Sequence, residues 1–140
     1  MAPPGVAAAL DQAAAAEPAI DALKNRIEVI RQRASGLTSA PLTVATIEWI
    51  EPVMFGGLWM AELVEIAGGA ALASVAGQKA LTLDRAALEA MDPDVVLIKP
   101  CGFDVARTLQ ERDAIARALP WARWRAVEAG RVFVVDGNAY

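Results

Sequence analysis

Cys101 is the one thiol of this sequence, set in a Pro100-Cys101-Gly102-Phe103 turn between an apolar run and Asp104. A thiol close to a helix N-terminus can be acidified and made reactive. Histidine or a second cysteine would normally complete such a site, and the chain has neither. That absence also excludes Ser-His and Cys-His catalytic pairs, the usual zinc ligand sets and an intrachain disulfide. Cys101 is therefore read as a small packed residue ahead of a nucleophile. The acids Glu48, Glu51, Asp84, Asp104 and Asp136 are scattered. Paired carboxylates do acid–base work, but no spacing here joins two of them, and caps or solvated surface are their ordinary uses. Gly56-Gly57 precedes a helical stretch, where free N–H groups can hold an anion. A tight turn is the commoner use of paired glycines. Neither G-x-G-x-x-G nor G-x-x-x-x-G-K-[ST] occurs.

What remains is aromatic. Residues 42–59, LTVATIEWIEPVMFGGLW, begin as a β-branched strand that must end by Pro52, which has no N–H for a ladder. Trp49, Glu51, Met54, Phe55 and Trp59 follow within a short span. Beyond the carboxyl end of a strand is where open α/β sheets hold ligands. Trp49 and Trp59 divide evenly between core and site, whereas Phe55, between a proline and two glycines, is expected to be exposed. Aromatic and backbone groups with few charges suit a large, neutral or apolar ligand better than a phosphate.

The elements that must position these residues are legible in outline. The net charge is −4 with no basic run, so nucleic acid is not an expected partner. No stretch approaches the ~20 apolar residues of a membrane span, and the first sixteen residues lack the pattern of a signal peptide. Residues 6–16 read as a short alanine-rich helix. Pro18 suits the first turn of a second helix ending near Gly36, with Ile20, Leu23, Ile27, Ile30 and Ala34 as one apolar stripe. That stripe needs a sheet, or a partner chain, to lie on. A helix is expected over 58–67, a weak segment over 70–80, and a helix capped by Thr82 through Met91. DVVLIK, residues 94–99, is the clearest buried strand. A helix over 105–119 turns Val105, Leu109, Ala116 and Leu119 inward, Trp121 and Trp124 lie in a connecting turn, and a last strand covers 131–135. Strands separated by helices imply an α/β, three-layer, Rossmann-like lobe with a mostly parallel sheet, preceded by a long helix. The strand ends at 49–55, 99–103 and 136–140 then share one edge.

IEWIEPVMFGGLWMAELVEIAGG, MDPDVVLIKPCGFD and GRVFVVDGNAY, in that order and spacing, resemble the second lobe of cluster A, helical-backbone ABC-transporter substrate-binding proteins. The vitamin B12 (cobalamin)-binding members are the nearest in pattern; siderophore and haem binders share the lobe. The resemblance covers about residues 42–140. It implies two lobes joined by a long spine helix, of which 18–36 would be the end, with 1–17 a loose segment or short helix. It implies that Trp49, Glu51 and Phe55 face the corrin, that Cys101, Gly102, Phe103, Asn138 and Tyr140 border the same cleft, and that Asp84 docks on an ABC permease. A first-turn helix acid is the equal alternative for Asp84. It further implies transport rather than catalysis, no catalytic or metal-binding residues, no cofactor apart from the cargo, and an extracytoplasmic location. The family's first lobe and C-terminal helix have no counterpart among these residues. A single wall should bind weakly, and its uncovered apolar surface should favour homo-oligomers. Two other classes stand beside this reading. One is a small nucleotide-binding enzyme using Gly56-Gly57 with Cys101 or Asp136. The other is an interaction domain pairing through the Ile20–Ala34 stripe.

Overall fold

A computed structural model describes residues 4–37 and 40–139, so Tyr140 lies outside the described residues. The chain opens with α1 (Pro4–Ala9), turns at Asp11, and runs into α2 (Ala13–Ser35). Pro18 was expected to start this helix and instead lies inside it. Ala13–Ala16 are strong helix formers, and the carbonyl left without a partner belongs to Ala14, which is exposed and can be hydrated. No residue of α2 is buried. The stripe expected to lie on the sheet is open, with Leu23 51%, Ile27 39% and Ile30 50% exposed. Only the end of the helix reaches the lobe, where Ala34 abuts Gly68.

The sheet is built around β1 (Thr43–Ile50). After a two-residue Glu51-Pro52 turn, β2 (Val53–Phe55) folds back antiparallel along it. Then come α3 (Met60–Ile66), β3 (Ala70–Ala71), α4 (Arg85–Glu89) and β4 (Val95–Ile98). The chain continues as α5 (Val105–Gln110), α6 (Arg112–Ala118), a 3-10 turn at Trp121–Arg123, α7 (Arg125–Glu128) and β5 (Val132–Val134). The strand order is β2-β1-β4-β5, with β3 beside the start of β1, and every pairing except β1–β2 is parallel. This is the expected α/β class, with an antiparallel edge that the Pro52 reading had assigned to loop.

One face of the sheet carries the core. Ala45, Ile47, Val96 and Ile98 meet Leu88, Ile115, Leu119 and Trp124, all buried. The Trp124 indole donates to the Leu88 carbonyl at 3.0 Å, which makes a residue expected in a surface turn an anchor of the core. The opposite face is only partly covered. Val44, Val95 and Leu97 with Met60, Leu63 and Val64 line an apolar hollow of about 420 Å³. Within β4 burial alternates, Val96 and Ile98 buried and Val95 and Leu97 half-buried, before Lys99 closes the DVVLIK run buried as well.

Two helix readings shift. Thr82 does not cap a helix; it bridges to Met54 in an edge pairing, where Phe55 N donates to Leu81 O and Leu83 N to Val53 O. The cap is Asp84, whose carboxylate accepts from Ala87 N at 2.8 Å. Helix 105–119 breaks at Glu111, but its buried side keeps one helical phase, at i, i+7 and i+11, that lies to one side of the expected stripe. Thr108, Ile115 and Leu119 point inward, whereas Val105, Leu109 and Ala116 are exposed.

Candidate ligand-binding rim

Because β1, β4 and β5 run parallel, their carboxyl ends share one edge. The segments beyond them are tied together there. Gly137 N donates to Phe103 O at 2.8 Å, and its α-carbon lies so close to the Pro100 carbonyl that no Cβ would fit. Gly102 turns the β4 loop at φ +77°, a conformation that glycine adopts freely.

At this edge β1 carries a bulge: two steps along it, from Ile47 to Trp49, are answered by one step on β2. Glu48 and Trp49 consequently serve two neighbouring hollows. Trp49 is 37% exposed. Its indole donates to Glu51 O at 3.1 Å, which fixes the ring. The ring meets Phe103 edge to face, with centroids 5.7 Å apart. The Arg107 guanidinium lies 4.4 Å from the Phe103 centroid and pairs with Glu111 at 2.6 Å. With Glu51 and Pro100 these residues line a hollow of about 230 Å³, an aromatic floor with one cation at its border.

On the other side of the strand ends, Glu48, Gly57, Trp59, Lys79, Lys99 and Cys101 line a second hollow of about 200 Å³. Lys99 is only 2% exposed. Both glycine amides that sequence offered for an anion are engaged within the chain, Gly56 N with Thr46 O at 2.7 Å and Gly57 N with the Glu48 carboxylate at 3.2 Å.

The residues expected at a site separate accordingly. Trp49, Glu51 and Phe103 come together in the first hollow. Cys101, expected as a packed residue, is instead exposed and opens on the second, and Gly102 turns the loop that carries it. Asn138 is exposed where the β5 strand ends, held by Asp136 through its backbone and side-chain nitrogens at 2.8 and 3.0 Å. Phe55 is not part of this surface. It is completely buried in the core, because the antiparallel return of β2 turns it inward against β1. Asp84 is exposed and serves as the cap of α4. Sequence reasoning passed over Arg107 and Lys99. Arg107 lies one helical turn beyond Phe103, and Lys99 is a charge closing an apolar strand, so both had visible signals. Among the described residues no group of three or more His, Cys, Asp or Glu is placed to hold a metal.

Two carboxyls are held below their ordinary proton affinity at the opposite end of the strands. Asp94 accepts from the backbone N–H and then the hydroxyl of Thr43, each at 2.8 Å. Asp92 is lowered first by the backbone N–H of Arg125 and then by its guanidinium. These groups join strand starts and helix ends and are remote from the rim.

The sequence profile of a family described as Periplasmic binding protein matches residues 5–139. No curated protein sequence matches the chain. Among solved structures, IsdE of S. aureus complexed with heme superposes with a TM-score of 0.77 at 18% identity, over 95% of this chain and 52% of that one. An ABC transporter substrate-binding protein from Listeria monocytogenes EGD-e gives 0.78 at 19% identity, over 98% and 54%. The periplasmic vitamin B12 binding protein BtuF of Vibrio cholerae gives 0.61 at 15%, over 86% and 44%. This chain thus spans about half the length of the solved structures it matches.

Proposed function

Since the chain belongs to the periplasmic binding protein family, we propose that it forms one lobe of the substrate-binding component of an ABC importer and offers the Trp49–Phe103 rim to a large macrocyclic chelate. The observation that carries this reading is the fixed edge-to-face pair of Trp49 and Phe103 at the carboxyl edge of the sheet, bordered by Arg107. A flat ring system gains most from a half-exposed aromatic floor that is already held in place. The fold is shared with proteins described as complexed with heme and as vitamin B12 binding, which supports a macrocycle as the ligand class. Cobalamin is the cargo this reading favours, with haem and ferric siderophores as its variants. In the same reading α2 is the end of an interlobe spine, Asp84 docks on a basic patch of the permease, and the lobe works outside the cytoplasm by binding rather than catalysis. The test is titration of the chain with cyanocobalamin, hemin and a ferric siderophore, followed by tryptophan fluorescence and visible absorbance. Saturable change with cyanocobalamin, ahead of the other two, is expected. No saturable change with any of the three overturns the reading.

A further inference from the structure

The second hollow contains a charge pair that does not close. Lys99 and Glu48 follow paired residues of neighbouring parallel strands, Ile98 and Ile47, and both line the hollow. Lys99 is 2% exposed, yet its ammonium has no hydrogen-bond or ion-pair partner among the described residues. The one sealed polar side-chain atom without a partner among these residues is the Ser74 hydroxyl, so the Lys99 ammonium keeps an opening to the hollow. Glu48 has one oxygen on Gly57 N at 3.2 Å and its other oxygen without a partner. An ammonium removed from bulk water and left unpaired is disfavoured unless a ligand atom or water completes it.

We propose that this hollow receives a primary carboxamide arm of the ligand, whose carbonyl oxygen accepts from Lys99 and whose NH₂ donates to Glu48. The inner pair sums to zero charge, so a carboxylate arm would be repelled by Glu48 and an ammonium arm by Lys99. A neutral group that both accepts and donates satisfies the two together. Lys79 also borders the hollow but is exposed, and water screens it. The hollow of about 200 Å³ has room for a short amide arm and a bridging water, each water taking about 30 Å³. This proposal rests on the macrocycle reading above and narrows it to rings that bear amide arms rather than free acids.

Two arms of one experiment separate the subsite from that reading. In the first, ¹⁵N–¹H spectra of the chain are titrated with acetamide, acetate and methylammonium at matched ionic strength. Saturable shifts of the Gly57, Lys99 and Cys101 amides with acetamide alone are expected, lost in Lys99→Met and Glu48→Leu; circular dichroism checks that each variant folds, and Lys99→Arg retains the response. Equal or larger shifts with acetate, or none with acetamide, overturn the proposal. In the second, cyanocobalamin is compared with its derivatives in which one propionamide is hydrolysed to a carboxylate. At least one derivative should bind about tenfold more weakly, the loss expected of one unmet charge-assisted hydrogen bond, and Lys99→Met should erase that difference. Equal binding of all derivatives also overturns the subsite. Failure of cyanocobalamin, hemin and the ferric siderophore alike to bind, while acetamide still saturates the hollow, would instead overturn the macrocycle reading.

Discussion

Trp49 and Phe55 are close in sequence and opposite in physical role. Trp49 is 37% exposed and its indole is anchored to Glu51 O, so its removal should leave the fold intact. Trp49→Ala is expected to weaken macrocycle binding by about tenfold, through loss of ring contact and of the partner of Phe103, with a melting temperature lowered far less than in Phe55→Ala. Titration calorimetry beside a thermal melt checks both halves. Phe55 is fully buried, so Phe55→Ala should destabilise the chain by about 3–5 kcal/mol, read as a lower denaturant midpoint. Any loss of binding in that variant should follow the unfolded fraction. The flanking residues explain why sequence misplaced Phe55. Pro52 and Gly56-Gly57 are turn signals on both sides, and three residues between turn signals read as loop. Nothing local says that they fold back as an edge strand, since that depends on pairing with β1. Lys99 shows the reverse case: its type is evident in sequence, but that it is buried and shares a hollow with Glu48 and the 57–60 segment depends on the tertiary packing.

Among elements, the parallel strands β1, β4 and β5 and the helices between them were legible from their apolar runs and flanking turn signals, whereas β2 was not. Helix phase was less legible. The inward residues of the 105–119 segment are Thr108, Ile115 and Leu119 rather than Val105, Leu109 and Ala116, because a threonine whose hydroxyl is bonded to Asp104 O holds a buried position that apolarity alone would not choose. Trp124 looked like part of a linker until the packing of α4 offered its indole the Leu88 carbonyl. The joint between strand starts has a measurable consequence. Asp94 holds Thr43 through N–H and hydroxyl, and these bonds lower its pKa. A folded pKa below the unfolded one gives stabilisation that is complete above the unfolded value, about 3.9, and is lost as pH falls through the folded value. Asp94→Asn should therefore lower stability at neutral pH and flatten the loss below about pH 4. Urea midpoints measured across that range check it. A variant whose acid slope matches the parent would exclude Asp94 and leave Asp92 and Glu28, both also lowered, to carry the slope.

At the scale of the molecule, the lobe leaves two apolar surfaces without cover. Along α2, Leu23, Ile27 and Ile30 are 51%, 39% and 50% exposed on one stripe. On the sheet, Val95 and Leu97 are half-buried at the floor of the 420 Å³ hollow beside Leu63. Apolar area gains about 25 cal/mol per Å² on leaving water, and contiguous patches of this kind are sites of association. The chain is therefore expected to self-associate, with a sedimentation coefficient that rises with concentration. The two surfaces can be told apart. Ile27→Glu places a charge mid-stripe in a good helix former, so helix content should hold while association weakens. Leu63→Glu does the same at the sheet hollow. If Ile27→Glu restores a concentration-independent monomer and Leu63→Glu does not, the contact runs along α2, and the helix meets a second copy rather than the sheet of its own lobe. The opposite result assigns it to the half-covered sheet face. Parent and variants that all sediment as one monomer at every concentration would mean that neither patch is large enough to offset the entropy of association, and the lobe would then be able to present its rim as a free single unit.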